Sequence, residues 1–500
     1  MSEDASVDGV DPRTDFREVA ADSRAAARAT LAVVASRVVV AGLGWAGSVI
    51  VARSLNPTEW GQFSFVFALL GVMSIVTDLG VGRVVLARLI DGDPEEIART
   101  ASSFIALRTV LGAIGYALAI GYVVVLGYPG EVIAATAVGG LVVVLATPSH
   151  ALSVLYQSRH RLLVVSVAES LGQGVQLLLV VVAAMTAPVL LVFVIPPVVN
   201  ELFKLGVKAA GLRNRALGLR PSRRIEIDRW RPMLAEAVPL AIGFALTIAM
   251  MKVDIVMLSL LDTFEAVGQY SIGYKFSDVI DTIVLAAVAP VSTLLVAAWP
   301  LQPEVFRARS RAAATSFALA GGVCVVAFWP SARQVISLLY GQRFGESAPA
   351  ARLLVVGAAL MALIILGIFL LTAAERQRRY PVVALFGLAL NVGLNLILIP
   401  RLSYYGSAIA TVVTWAVTLV LLWIVVARSV PIRGLLPVRE LVVLSVLVAA
   451  VAALGDYLVQ QAPAWWPAVS VVGVLVFVGG AVLLGLTAGV GPARSRSAAR

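Results

Sequence analysis

Charge is what this chain has least of for its size. Of 500 residues, only 14% are Asp, Glu, Lys or Arg, while 60% are hydrophobic. A water-soluble protein of this length needs far more charge to cover its surface, so a soluble class is excluded. The one cysteine, Cys324, rules out an intrachain disulfide and a cysteine metal site. The two histidines, His150 and His160, leave no basis for a His-built metal or catalytic cluster, so neither metal nor cofactor is expected. No Gly-x-x-x-x-Gly-Lys loop occurs, so nothing points to ATP as the energy source. The first 30 residues lack the basic start and short apolar core of a cleavable signal peptide. They begin acidic, turn alanine-rich and helical over 16–29, and read as a cytoplasmic tail. Long hydrophilic loops are missing too: the longest, 209–232, has 24 residues. A membrane polymerase, ligase or glycosyltransferase needs a sizeable external domain with catalytic acids or bases. The longest external loop, 332–350, holds one acid, Glu346, so an enzyme is not expected. Asp91-Gly92-Asp93 has the look of a glycosyltransferase metal pair, but it stands in a short loop before Pro94 and reads as a plain turn.

What is present is a regular alternation of apolar stretches, about 20 residues each, with short polar breaks; this is the period of bilayer-spanning helices. Fourteen spans are predicted, giving an all-α polytopic membrane protein. With both termini on one side, that side carries thirty Lys and Arg, against Arg333, Arg343 and Arg401 opposite. The positive-inside bias therefore predicts cytoplasmic termini in a plasma-membrane protein. The net charge of +10 is this topology signal plus attraction to anionic lipid heads, and calls for no nucleic-acid partner.

One phrase is written twice. Asn56 to Ser64 reads NPTEWGQFS, and Asp262 to Ser271 reads DTFEAVGQYS. Each opens a span after an external turn, with Asn56 or Asp262 as expected N-cap and Glu59 or Glu265 three residues on. A basic turn, Tyr156 to Arg161, is paired with a second, Glu375 to Tyr380. Both pairs are offset by six spans. The organisation predicted is a tail (1–30), a six-helix bundle (31–208), a basic linker (209–232), a second six-helix bundle (233–427), two additional helices (428–488) and a basic tail (489–500). Six is even, so the two bundles share one orientation, face each other across a cavity and can rock to give alternating access.

VARSLNPTEWGQFSFVFAL (Val51 to Leu69), Asp78-Leu79-Gly80, KVDIVML around Asp254, GQYSIGYKF, and NVGLNLILIPRLSYYGSAIATVVTW (Asn391 to Trp415) together resemble the oligosaccharide and polysaccharide flippases of the MOP exporter superfamily, over roughly 31–430. The resemblance implies a fold like that of the multidrug and toxin extruders. It also implies movement of a polyprenyl-diphosphate-linked oligosaccharide from the cytoplasmic to the outer leaflet, for cell-surface glycan synthesis. A multidrug or cation antiporter and a peptidoglycan-precursor flippase are the alternatives within the same fold. Implied partners are lipid-linked oligosaccharide, membrane lipids, and glycan polymerase or glycosyltransferase machinery; a monomer is expected, since the cavity lies within one chain.

Such a cargo needs cations at membrane depth, and charges inside spans usually face protein or water. The cationic candidates are Arg37, Arg108, Lys252 and Lys275. Arg37 and Arg108 lie about two turns inside the cytoplasmic ends of their spans, a depth that suits a diphosphate but also allows snorkelling. Lys252 either meets cargo or pairs with Asp254. Lys275, Asp278 and Asp281 fall on one helix face, as an ion-pair ladder or as part of the cavity. Asp254, Asp278 and Asp281 are the candidates for ion coupling. Glu169 and Gln173, with Gln176, form a polar stripe, and Asn391 and Asn395 a polar pair; each lines the cavity or bonds helix to helix.

Overall fold

The computed structural model describes residues 36–90, 93–213, 221–222 and 224–487. The N-terminal tail, Asp91 and Gly92, part of the basic linker and the C-terminal tail lie outside these residues. The first half comprises α1 (Ser36–Ser54), α2 (Pro57–Asp78), α3 (Val81–Ile90), α4 (Pro94–Val125), α5 (Gly130–Gly139), α6 (Leu141–Ser158), α7 (Leu162–Thr186), α8 (Leu190–Phe193) and α9 (Ile195–Arg213). The second comprises α10 (Trp230–Leu261), α11 (Phe264–Val296), α12 (Pro303–Phe328), α13 (Ala332–Tyr340), α14 (Ala348–Ala373), α15 (Tyr380–Ser429), α16 (Val438–Gln461) and α17 (Trp466–Leu483). No strand occurs among the described residues.

Among the described residues, twelve helical stretches are long and apolar enough to cross a membrane. One of them holds all of α15, which reverses at Ser403 (φ 54°, ψ −143°) and so makes two crossings. Helix α11, 33 residues long, is about 50 Å and crosses as well despite its charges. Fourteen crossings result, with α5–α6 and α8–α9 each counted as one. They form two six-helix bundles and an added pair. In the first bundle, Phe65, Leu69, Val123 and Val132 pack in one buried cluster and Val85, Phe104, Leu107 and Leu155 in another. In the second, α14 is the hub: Leu363 to Leu366 and Leu370 sink among Phe317, Trp415 and Leu422. The added pair docks on α12, where Phe477 and Leu444 close over Val326. An ion pair from Arg352 to Asp456 (2.6 Å) holds α16 to α14.

The repeated phrase has a structural counterpart, with one correction. Asn56 caps α2 through a full capping box: its Oδ1 accepts from the Glu59 amide (2.8 Å) and its own amide donates to Glu59 Oε2 (3.0 Å). In the second copy the cap is Thr263, whose Oγ1 accepts from the Ala266 amide (3.2 Å), and not Asp262. The extra residue Val267 is the physical reason. Moving the cap by one places Gly61-Gln62-Phe63-Ser64 and Gly268-Gln269-Tyr270-Ser271 at identical helix positions. The two copies also touch. A Cβ on Gly61 would lie 1.8 Å from the Phe264 carbonyl oxygen, and one on Gly268 would lie 2.1 Å from that of Pro57. Glycine is what lets the N-terminal ends of α2 and α11 cross with their backbones in contact.

The basic turns match as well. Arg161 donates its amide to Tyr156 O (2.9 Å) and His160 to Gln157 O (3.1 Å), around a left-handed His160 (φ 53°). Arg376 donates to Leu371 O (2.7 Å) and Glu375 to Thr372 O (3.0 Å), around a left-handed Glu375 (φ 58°). Both are Schellman turns.

Candidate functional site

A cavity of about 420 Å³ lies where the two bundles face each other. The first bundle contributes Gly44 and Ser48 of α1, Gln173 and Gln176 of α7, and Asn200 and Lys204 of α9. The second contributes Lys252 of α10 and Tyr274, Lys275 and Asp278 of α11. These positions lie about one and a half to four turns inside the nearer ends of their helices. Gly172 brings α9 close enough to α7 for its polar stripe to enter the wall: a Cβ there would lie 2.4 Å from Asn200 Oδ1. Asn200 Nδ2 then donates to Gln176 Oε1 (2.6 Å) and Gln173 Oε1 (3.5 Å). Lys204 is paired with Glu201 one turn away. Lys252 sits over the Tyr274 ring at 4.9 Å, and the Tyr274 hydroxyl donates to Met251 O (2.8 Å). The charged lining is Lys204, Lys252 and Lys275 against Glu201 and Asp278. With Lys204 and Glu201 neutralising each other, the cavity keeps an excess of positive charge.

Gly44, Ser48, Lys275 and Asp278 also border a second space of about 470 Å³ between α1 and α11. Its other walls are mostly apolar, including Val38, Ala41, Trp45 and Val279. A polar chamber therefore adjoins a greasy lateral groove along shared side chains. On the side where α2 and α11 begin, the chamber is capped by the crossing of Gly61 and Gly268, by the buried Trp60, and by a bond between the Tyr128 hydroxyl and Ser259 Oγ (2.8 Å) that ties the bundles together.

The remaining candidates lie elsewhere. Arg108, 3% exposed, faces away from the chamber. Its Nη1 donates to Thr77 O (2.7 Å), Asp78 O (3.0 Å) and Asp78 Oδ1 (2.7 Å). It caps the C-terminal carbonyls of α2, where Leu79 (φ 42°) and Gly80 (φ 64°) break the chain into α3. Arg37 is exposed on α1 and borders neither space. Glu169 lies 4.0 Å from Lys208 Nζ and outside the chamber lining. Asn391 and Asn395 are buried against each other, Asn395 Nδ2 donating to Asn391 O and Oδ1 (3.0 Å each). No ion pair joins Lys275, Asp278 and Asp281, or Lys252 and Asp254, among the described residues; Asp281 Oδ1 is buried without a partner.

Asp254 forms its own buried cluster, 1% exposed. Its Oδ2 accepts from the Tyr270 and Thr411 hydroxyls and its Oδ1 from the Ile255 amide (2.9 Å). Tyr270 is the aromatic of the second repeat copy, so the repeated phrase supplies both the outer crossing and this carboxylate's donor.

Sequence reasoning ended the sixth span at 208, inside the first bundle, yet counted Lys204 and Lys208 with the nine basic residues of 204–232 as loop charges. In the structure α9 continues to Arg213, so both are helical; Lys208 is 1% exposed and donates to Ser149 Oγ (3.1 Å). The signal was available: Asn200, Lys204 and Lys208 recur every four residues, one helix face.

The sequence profile of the family described as "Polysaccharide biosynthesis protein" matches residues 26–293. No curated protein matches the chain. Among solved structures, it is similar to lipid II flippase MurJ in an inward closed conformation, at 12% identity and a TM-score of 0.72, covering 91% of this chain and 98% of that one. It is similar to an inward-facing multidrug resistance MATE family transporter of the MOP superfamily, at 16% identity and a TM-score of 0.63, covering 77% and 94%. A MOP superfamily transporter from Pyrococcus furiosus, described as having a binding pocket of reversed polarity, matches at 15% identity and a TM-score of 0.54, covering 79% and 95%. At these identities the likeness carries the fold.

Proposed function

The chain belongs to the polysaccharide biosynthesis protein family, and from that premise we propose that it flips a polyprenyl-diphosphate-linked oligosaccharide across the plasma membrane, from the cytoplasmic to the outer leaflet. The observation that carries this reading is the junction of the two spaces. A chamber with excess positive charge shares Gly44, Ser48, Lys275 and Asp278 with an apolar groove open toward lipid. That is the shape of a cargo with an anionic diphosphate, a polar glycan and a long hydrocarbon tail. Lys252 and Lys275 meet the diphosphate, Gln173, Gln176 and Asn200 meet sugar hydroxyls, and the tail stays in the groove. A chamber built for organic cations calls for the opposite charge balance, which is what disfavours a drug antiporter.

Transport follows from rocking the bundles, read as 31–208 and 233–427, about the shared cavity. Separation of α2 from α11 at Gly61 and Gly268 opens the outer side. The buried Asp254 supplies the coupling: its oxygen-rich surroundings suit a proton or a hard monovalent cation, and an intramembrane carboxylate is costly unless used. Cytoplasmic termini follow from the charge asymmetry of the loops.

The test is the leaflet accessibility of lipid-linked oligosaccharide in cells lacking the protein, with and without it restored. Carriers should accumulate facing the cytoplasm and move outward on restoration. An unchanged distribution accompanied by loss of organic-cation efflux would replace this reading with the antiporter.

A further inference from the structure

A cavity larger than the chamber between the bundles lies elsewhere in the molecule. A cleft of about 1210 Å³ opens at the outer ends of the helices, and its lining shares no residue with the chamber. It is walled by the end of α1, by α13 and the segment after it, by the start of α14, by the reversal of α15 and by the outer ends of α16 and α17. It is wider than the ~300–1,000 Å³ of most small-molecule sites. Much of its wall is polar or aromatic.

Part of that polarity is structural. Arg53 donates to Leu339 O (2.7 Å) and to Leu338 O, and Arg352 pairs with Asp456, which also accepts from Gln460 Nε2 (2.9 Å). These bonds hold the frame. They leave Gln334 Oε1 and Arg352 Nε buried with no partner. Buried polar atoms in native proteins are satisfied by protein, water or ligand. Arg333 stands exposed beside Gln334 on the cleft wall, and Trp466 and Tyr404 line the far side. The two unpartnered atoms are sealed behind the wall; the groups the cleft itself presents, a guanidinium at the rim and aromatic faces opposite, bind carboxylates and the apolar faces of sugars. Arg53, Arg333 and Arg352 outnumber Glu346 and Asp456, so the charge balance favours an acid.

We propose that this outer cleft binds acidic saccharide, as a second glycan site distinct from the transport chamber. The proposal rests on the orientation and cargo class given above. It places the glycan's uronate-bearing part against Arg333 after the cargo reaches the outer side.

The experiment uses the full chain with Cys324→Ser and a reporter at another exposed position of the cleft wall, Gln342→Cys, in right-side-out vesicles, with a membrane-impermeant maleimide and free tetrasaccharides. The probes are one of alternating glucuronate and N-acetylglucosamine, and neutral cellotetraose. Labelling that the acidic probe slows and the neutral one does not supports the site. Labelling that neither slows overturns it, and slowing by both alike overturns its acid selectivity. Labelling only after permeabilisation overturns the orientation it rests on. In detergent, without the cysteine changes, Arg333→Gln should weaken binding of the acidic probe about tenfold while leaving thermal stability unchanged, since Arg333 is exposed. Lys252→Gln should leave that binding unchanged. Because the probes are free of lipid, loss of flipping with retained probe binding would fall on the transport reading alone.

Discussion

Three buried or half-buried cations illustrate how differently similar residues can be used. Lys252 and Lys275 border the chamber, and no ion pair neutralises either among the described residues. Replacing either by Gln keeps the shape and removes a charge-assisted contact to phosphate, worth about 1.5–3 kcal/mol. Flipping should fall roughly tenfold or more, with normal amounts of folded protein in the membrane; full activity in both variants would remove the cationic chamber from the mechanism. Arg108 should behave in the opposite way. Its bonds to Thr77 O, Asp78 O and the Asp78 carboxylate fix the break between α2 and α3. Since the Asp78 side chain is 65% exposed, Arg108→Leu strands no buried charge. It should lower stability by about 1–3 kcal/mol in thermal unfolding, while the molecules that remain folded flip at near-normal rates. Sequence reading grouped Arg108 with the lysines because depth in a span was all it could see. Which wall a side chain faces depends on helix packing, and here that packing turns Arg108 toward the carbonyls of Thr77 and Asp78 on α2 and of Thr147 on α6. Lys204 and Lys208 were missed for a related reason. A run of basic residues at the end of an apolar stretch looks like a loop, and only the helical continuation of α9 to Arg213 shows it to be a face.

Most of the helices were legible because a bilayer imposes their length and apolarity, and because Asn56, Pro57 and Glu59 write a helix start in local chemistry. The repeat was legible too, in Gly-Gln-aromatic-Ser and in the two basic turns. Its use was not, since nothing in either copy says that the two glycines meet. A Cβ at 61 or 268 would overlap the backbone oxygen of the opposite helix. Neither helix can yield without moving its bundle, because Phe65 and Leu69 of α2, and Tyr270 and Ile272 of α11, are buried. Gly61→Ala should therefore push the outer ends apart and bias the protein toward the outward-open state. Overpacking costs of about 1–3 kcal/mol imply a shift of roughly tenfold or more in that equilibrium. Ser64→Cys, introduced with Cys324→Ser, borders the chamber just inside the crossing and reports the change through an impermeant maleimide added from outside. Faster labelling in the Gly61→Ala background is expected; an unchanged rate would mean that the outer seal lies elsewhere.

At the scale of the whole molecule, the two bundles are joined on the side that carries the basic loops. Helix α10 begins against the first bundle, with Met233 and Ala237 buried among Val81, Val85 and Phe104. The segment before it is stitched to the start of α4: the Ser222 amide donates to Ala98 O (2.9 Å), the Glu226 amide to Ser103 Oγ (2.9 Å), and Trp230 Nε1 to Ser103 O (3.0 Å). Glu226 links these strands of contact through Arg229 and Arg99. Its hydrogen bond to the Arg229 guanidinium, aided by the charge of Arg229 and Arg99, holds the carboxyl below its ordinary 4.5. A depressed carboxylate stabilises the folded arrangement at pH above its unfolded value, and that contribution is lost as pH falls through the folded value. The joint should therefore be insensitive to pH above the ordinary glutamate value of 4.5 and loosen only as pH falls below it. Spin labels at 98 and 222 would read this as a narrow distance distribution at neutral pH that broadens on acidification. Glu226→Gln should broaden it at neutral pH and abolish the acid step. A distribution that acid broadens equally in wild type and in Glu226→Gln would assign the step to another carboxylate and leave the joint held by the Ser103 contacts alone.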